Sequence, residues 1–316
     1  LVREAIESAP FTCASTEVVV HVTMGAATGD HRGEDRNYEK ILLHADMALK
    51  RARQKLAPFL LYDESLMIVQ EYENNLSWVR KFKKAVADDR IIPVFQPIVN
   101  NSTAQAEKYE TLVRFRDLEG ELIPPAAFLE TARRARLYHE VTRAMARKAL
   151  AHFRDLPFEF SINISVDDIL NKETSEFLHG LLLAEPAACR RLVFELTESQ
   201  EIESYHEVRE FLLHVKEHGA RVAIDDFGSG YSNFSYILQL SVDYIKIDAS
   251  LIRNIDTDAN SEMIVRTIAS FARNLGIRTI AEYVHNEAVY ARVRELGIDF
   301  SQGYYFGKPE ETTLPG

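Results

Sequence analysis

From Ile91 onward, short apolar runs alternate with stretches of helical periodicity, and this alternation constrains the fold more than any other feature of the chain. The runs are IIPVFQPIV (91–99), KYETLVRF (108–115), FEFSINIS (158–165), RLVFELTE (191–198), RVAIDDF (221–227), YIKID (244–248), RTIAEYV (278–284) and FSQGYYFG (300–307). Helical stretches at 126–154, 166–183, 206–218 and 259–275, and one ending at Leu296, separate most of them. Strands alternating with helices predict a parallel sheet with helices outside it, and eight units predict a closed (β/α)8, TIM-like barrel. The link from Val99 to Lys108 is too short for a crossover helix. The first two strands are therefore expected to run antiparallel, a departure from the standard barrel.

The most informative run is RVAIDDFGSGYSN (221–233), which ends in adjacent carboxylates, Asp225 and Asp226, followed by a loop with two glycines. Alone, the pair reads equally as a helix cap with a solvated turn or as a metal site. The other strands decide between them. In such barrels the chemistry sits at the C-terminal strand ends, and those ends carry Glu110, Asn163, Glu195, Glu198, Asp225, Asp226, Lys246, Asp248, Glu282 and Gln302. So many acids at one mouth repel unless counter-ions are present, and Lys246 alone does not neutralise them. Hard oxygen donors with an amide and no cysteine or histidine point to Mg2+ or Mn2+ rather than zinc. Two shared cations suit phosphodiester hydrolysis.

Upstream, residues 1–9 read as the end of a helix stopped by Pro10, as a fragment of a longer protein would begin. Thr16–Thr28 reads as a strand ending at Gly25, Tyr38–Arg53 as a helix with Ile41, Ala45, Ala48 and Ala52 on one face, and Phe59–Tyr62 as a short strand. Asp63–Asp88 carries Val69, Tyr72, Leu76, Val79, Phe82 and Val86 at helical spacing and reads as a connector. The net charge of −11 excludes a general surface for a nucleic-acid polymer. Two cysteines, Cys13 and Cys189, with no CxxC pair exclude a disulfide framework or zinc–thiolate site and fit a reducing, cytoplasmic setting. No apolar run reaches the length of a membrane span, so this segment is expected to make no membrane contact.

Seven motifs in order, over about residues 89–310, resemble the EAL domain family. They are Gln96-Pro97-Ile98; Glu110-Thr111-Leu112-Val113-Arg114, with Thr for the name-giving Ala; Ser161-Ile162-Asn163-Ile164-Ser165; Glu195-Leu196-Thr197-Glu198; Asp225-Asp226-Phe227-Gly228 with Lys246-Ile247-Asp248; Ala281-Glu282; and Gln302-Gly303-Tyr304. The resemblance implies hydrolysis of cyclic di-GMP to linear pGpG. Glu110, Asn163, Glu195 and Asp225 would hold one metal ion. Asp225 would bridge to a second, with Asp226 and Glu282 nearby. Lys246 would position the attacking water, and Glu282 would act as base or ligand. Glu198 would hold the Asp226–Ser232 loop, and Gln96, Leu112, Arg114 and Gln302 would contact the dinucleotide. The family also implies a homodimer through the barrel. Where many members have Gly-Val-Glu after Ala-Glu, this chain has Tyr283-Val284-His285.

VTMGAAT (22–28), ADMALKRARQ (45–54) and FLLYD (59–63) resemble the C-terminal part of a GGDEF-type domain, whose signature loop does not occur in the chain. The expected organisation is thus a GGDEF-like remnant over 1–64, a connecting helix over 65–88 and the barrel over 89–316. Structural roles compete at some positions. Glu198 equally caps a helix, Asp248 reads better as structural, Arg114 equally forms an ion pair, and Gln302 equally is a satisfied amide. The competing function is a receptor that binds cyclic di-GMP without turning it over.

Overall fold

The computed structural model describes residues 11–13, 16–18, 22–28, 38–54, 57–62, 79, 81–197, 205–229, 237–238 and 240–313. It divides into two units, Leu1–Trp78 and Val79–Gly316. The expected helix over 1–9 and Glu198 lie outside the described residues, as does most of the connecting helix, of which residues 81–87 are helical.

In the first unit, β1 (Phe11–Cys13) pairs antiparallel with β2 (Thr16–Val18). Strand β3 (Met24–Ala26) pairs parallel with β4 (Phe59–Leu61), and helix α1 (Tyr38–Gln54) lies between them in sequence. Ala48 and Ala52 of α1 are fully buried. A Cβ on Gly25 would stand 2.2 Å from the Leu49 backbone nitrogen and 2.5 Å from the Ala45 carbonyl oxygen. Glycine at 25 and alanines along α1 are what let helix and strand backbones touch.

The second unit is built on β5 (Ile91–Asn100), β6 (Ala106–Arg116), β7 (Leu122–Ile123), α2 (Leu129–Arg134), α3 (Tyr138–Phe153), β8 (Glu159–Asn163), α4 (Val166–Leu170), α5 (Lys172–Ala184) and α6 (Pro186–Cys189). It continues with β9 (Leu192–Thr197), α7 (Tyr205–Glu217), β10 (Arg221–Phe227), β11 (Tyr244–Ile247), α8 (Ala249–Ile252), α9 (Ala259–Asn274), β12 (Arg278–Ala281), α10 (Glu287–Glu295) and β13 (Phe300–Gln302). The sheet runs β5-β13-β12-β11-β10-β9-β8-β6, and β5 pairs again with β6, closing an eight-stranded TIM-like barrel. β6 and β8 through β13 run parallel to one another, whereas β5 is antiparallel to both β6 and β13. Strand β7, not foreseen in the sequence, forms a short hairpin with Phe115 and Arg116.

The period-2 alternation of the strands sorts side chains into two sets. Phe194, Leu196, Val222, Ile224, Ile245 and Ile247 face the helices and form the large core. Ile98, Val193, Ala223, Tyr244, Ile280 and Phe300 form a second core inside the barrel. On each of these six strands, the inward position two residues nearer the mouth is polar or charged: Gln96, Glu195, Asp225, Lys246, Glu282 and Gln302. On β5 that position comes earlier in sequence, because the strand runs the other way. The apolar floor and the polar mouth are thus one alternation read at successive steps.

Candidate active site at the barrel mouth

Lys246 is the centre of the mouth and is fully buried. Its Nζ lies 2.8 Å from Asp225 Oδ1, 2.8 Å from Glu282 Oε1, 2.9 Å from Glu195 Oε2 and 3.2 Å from Glu110 Oε2. Burial alone would lower this ammonium, but Asp225, Glu110, Glu195 and Glu282 together hold it well above the usual lysine range. Glu110 is fixed from two further sides. Asn163 Nδ2 donates to its Oε1 at 3.1 Å, and Gln302 Nε2 donates to its Oε2 at 2.7 Å. Burial would raise the Glu110 carboxyl, yet Lys246 and the two amides outweigh it and leave the group below the ordinary range.

The remaining acids are less satisfied. Burial pushes Glu195 well above the ordinary range, and Lys246 offsets it only in part against Glu110 and Asp225. Burial pushes Glu282 up to about 8. Burial, then the neighbouring Asp225, pushes Asp226 up to about 6. Asp225 Oδ1 pairs with Lys246 by charge but receives no directed hydrogen bond. Five carboxylates (Glu110, Glu195, Asp225, Asp226, Glu282) therefore face one ammonium, a deficit of four charges when all are ionised.

Their donor atoms form two overlapping triads. Glu110, Glu195 and Asp225 each offer an oxygen within 4.8 Å of the others, and so do Asp225, Asp226 and Glu282. Asp225 belongs to both. Adjacent strand residues normally face opposite sides of a sheet. Here the β10–β11 register shifts between Ile224 and Phe227, and Asp226 has φ 55°, so a bulge turns both carboxylates toward the mouth. The oxygen-only donor set and the shared triads fit hard divalent cations.

A groove of about 550 Å³ opens over this cluster, lined in part by Gln96, Glu110, Leu112, Glu282, Tyr283 and Gln302. Gln302 Nε2 also donates to Gln96 Oε1 at 3.0 Å, and Gln96 Nε2 donates to the Gly307 carbonyl at 3.1 Å, so the amide wall is pinned. Arg114 lies on the face of β6 shared by Glu110 and Leu112 and donates to the Val113 carbonyl at 2.8 Å. It forms no ion pair among the described residues, unlike the structural alternative for it. Asp248 caps α8 by accepting from the Ser250 amide at 2.9 Å, the structural role read for it. His285 does not replace a carboxylate against the acids. Its Nδ1 faces the Tyr283 carbonyl at 3.2 Å, and its ring lines the groove.

Two further wall features are not encoded in the apolar spacing of the sequence. Tyr283 has φ 58° and is 46% exposed, with Arg253 4.7 Å over its ring. Gly303 lets the chain pass Val284, whose carbonyl oxygen a Cβ would meet at 2.0 Å, and so places Tyr304 on the rim.

The EAL domain family profile matches residues 79–309. The chain belongs to the EAL domain family. Among its relatives is the cyclic di-GMP phosphodiesterase PdeB of Shewanella oneidensis, 29% identical over 301 residues, or 92% of this chain and 35% of that protein. Another is the cyclic di-GMP phosphodiesterase PdeA of Borreliella burgdorferi, 30% identical over 79% of this chain and 38% of that protein. The chain thus spans little more than a third of the length of these relatives. Among solved structures, an EAL domain protein from Listeria monocytogenes superposes with TM-score 0.68 at 27% identity, covering 73% of this chain and 93% of that one. Klebsiella pneumoniae BlrP1, in a calcium and cyclic di-GMP complex, superposes with TM-score 0.62 at 26% identity, covering 71% of this chain and 57% of that one.

Proposed function

We propose that this barrel hydrolyses cyclic di-GMP to linear pGpG. The observation that carries the reading is the charge deficit at the mouth: five converging carboxylates against the single Lys246, in two triads that share Asp225. Relatives with EAL domains are named for this phosphodiesterase activity. In the reaction a water oxygen bonds to one phosphorus and the bond from that phosphorus to a ribose 3′ oxygen breaks, leaving a 5′ phosphate and a 3′ hydroxyl.

Glu110, Asn163, Glu195 and Asp225 would hold one Mg2+ or Mn2+ ion, and Asp225, Asp226 and Glu282 a second. Such ions, when bound, lower the pKa of a water and neutralise phosphate charge. Lys246 orients the carboxylates and donates toward the attacking water. Glu282, with its raised pKa, is the acid placed to accept that water's proton or to serve as a ligand. Gln96 and Gln302 set the groove's amide wall, Leu112 its apolar side, and Arg114 offers a planar fork to phosphate or a guanine edge. Tyr283 and Tyr304 add aromatic faces for a base. Glu198 would hold the loop that follows Asp226.

The reading extends to a homodimer through the barrel's helices, with isologous symmetry, and to a cytoplasmic setting. No helix among the described residues is long and apolar enough to cross a membrane. We read the β3-α1-β4 unit as the remnant of a GGDEF-type domain over 1–64, joined to the barrel at 89–316 by a helix over 65–88. Its support is the Gly25 contact with α1 and the three motifs quoted above.

The test is incubation with cyclic di-GMP and Mn2+, beside an Asp225→Asn variant, with products separated by chromatography. Linear pGpG from the wild type and not from the variant is expected. Intact dinucleotide in both, with binding retained, would make the protein a receptor instead.

A further inference from the structure

Helices α5 and α7 lie side by side on the outside of the barrel and carry a cluster of imidazoles that the hydrolytic site does not use. His179 is on α5, His214 is on the last turn of α7, and His218 follows one turn later. The His179 and His214 ring centroids are 4.1 Å apart, and those of His214 and His218 are 4.5 Å apart. The spacing of four between His214 and His218 puts both on one face.

Two ring nitrogens of this cluster are not spent on hydrogen bonds. Nε2 of His179 and Nε2 of His214 are both buried without a hydrogen-bond partner among the described residues. His218 Nδ1 lies 2.9 Å from the His214 carbonyl oxygen. A carbonyl only accepts, so Nδ1 carries a proton, and Nε2 is the nitrogen of His218 left to face a metal. Burial, followed by the nearby His214 and His218, lowers the His179 pKa and favours its neutral, ligating form. His152 makes the contrast. Its Nε2 is also buried and unpartnered, and its ring stacks on Phe95 at 4.0 Å as the His179 ring stacks on Phe211 at 5.3 Å, but among the described residues no second imidazole faces it.

We propose that His179, His214 and His218 form a transition-metal site, of the Zn2+ class, that clips α5 to α7. Three imidazoles with an open fourth position are a recurrent zinc donor set. Nitrogen donors select Zn2+, Ni2+ or Cu2+, whereas the all-oxygen mouth selects Mg2+ or Mn2+. The two sites therefore divide the metals by ligand softness. The three histidines are not among the groups whose donors already lie within 4.8 Å of one another. The site therefore requires side-chain rotation to bring the Nε2 atoms together, and a bound ion would give the two orphaned nitrogens the partner they lack.

The experiment is calorimetric titration of Zn2+ into the full chain with Mg2+ in excess to occupy the mouth. The wild type and Asp225→Asn are expected to bind one Zn2+ equivalent each. His179→Ala, His214→Ala and the partly exposed His218→Gln are each expected to bind it at least about tenfold more weakly. Thermal melts give the second readout: Zn2+ raises the melting temperature of the wild type and of Asp225→Asn, but not of His218→Gln, whose lost side chain is peripheral to the core. Zn2+ binding that survives in all three histidine variants, or is lost only in Asp225→Asn, overturns the proposal.

Discussion

Among the described residues the barrel holds two buried lysines, and the contrast between their surroundings separates what this fold uses for chemistry from what it uses for stability. At the mouth, Lys246 is one cation among five carboxylates. At the opposite end, Glu159 is one carboxylate among cations: Lys108 and Arg221 both pair with it. Tyr244 knits that end together, accepting from Lys108 at 2.9 Å and from Arg278 at 2.8 Å, and its hydroxyl lies 3.3 Å from Glu159 Oε2. Lys108 also sits 4.5 Å over the Tyr244 ring and 4.6 Å over the Phe300 ring. The pKa shifts run in opposite directions. The mouth acids drive Lys246 up, whereas burial and then Arg278 and Arg221 push Lys108 down to about 7 although Glu159 pairs with it. One end closes on itself through protein groups; the other keeps a charge deficit that external cations fit. This matches the general division of such barrels into a stabilising bottom and a catalytic top.

The sharpest way to break the comparison is to change one carboxylate at each end. Asp225→Asn is expected to lower turnover of cyclic di-GMP about a thousandfold or more, equivalent to about 4 kcal/mol of barrier. The metal-free variant should melt no lower than the wild type, because the change relieves repulsion. Glu159→Gln is expected to do the reverse. It strands Lys108 and Arg221 and should cost about 3 kcal/mol in denaturant unfolding, while the turnover number per folded molecule stays near the wild-type value. Equal losses of activity in the two variants would erase the distinction.

pH sharpens the same contrast. Glu282 has a folded pKa of about 8, against 4.5 for the free side chain. The folded state therefore binds this proton more tightly than the unfolded state. The stabilisation is complete below pH 4.5 and is lost as pH rises through 8. In chelator, the protein should lose melting temperature between pH 6 and pH 8, and added Mg2+ or Glu282→Gln should flatten that loss. The smallest effect concerns the closed end. Tyr244→Phe removes one hydroxyl from that network and should cost about 1 kcal/mol with unchanged turnover.

The barrel was legible because a strand that packs on helices outside and on a core inside leaves an unbroken apolar run. Most mouth residues were legible because the next inward position after each run is polar. Glu110, Asn163, Glu195, Asp225, Lys246, Glu282 and Gln302 do come together, although their chemical roles stay proposals. How Asp226 joins them was not legible, since alternation alone sends it away from Asp225 and only the bulge at φ 55° brings it back. The Lys108–Glu159 end was missed for a related reason. A charged residue near a strand's start reads as solvated, and only closure of the sheet shows that β6 and β8 point both side chains into the barrel. Strand β12 stops at Ala281, short of the expected Val284, because Tyr283 takes a left-handed conformation. That turn carries its ring to the groove, which no pattern of apolar spacing encodes.

The most direct test of the account is a count of Mn2+ ions bound by the metal-free chain, read by electron paramagnetic resonance during titration, for the wild type and Asp225→Asn. The account predicts two equivalents in the wild type and loss of both on changing the shared ligand. No bound Mn2+ in the wild type, or two equivalents retained without the Asp225 carboxylate, would contradict it.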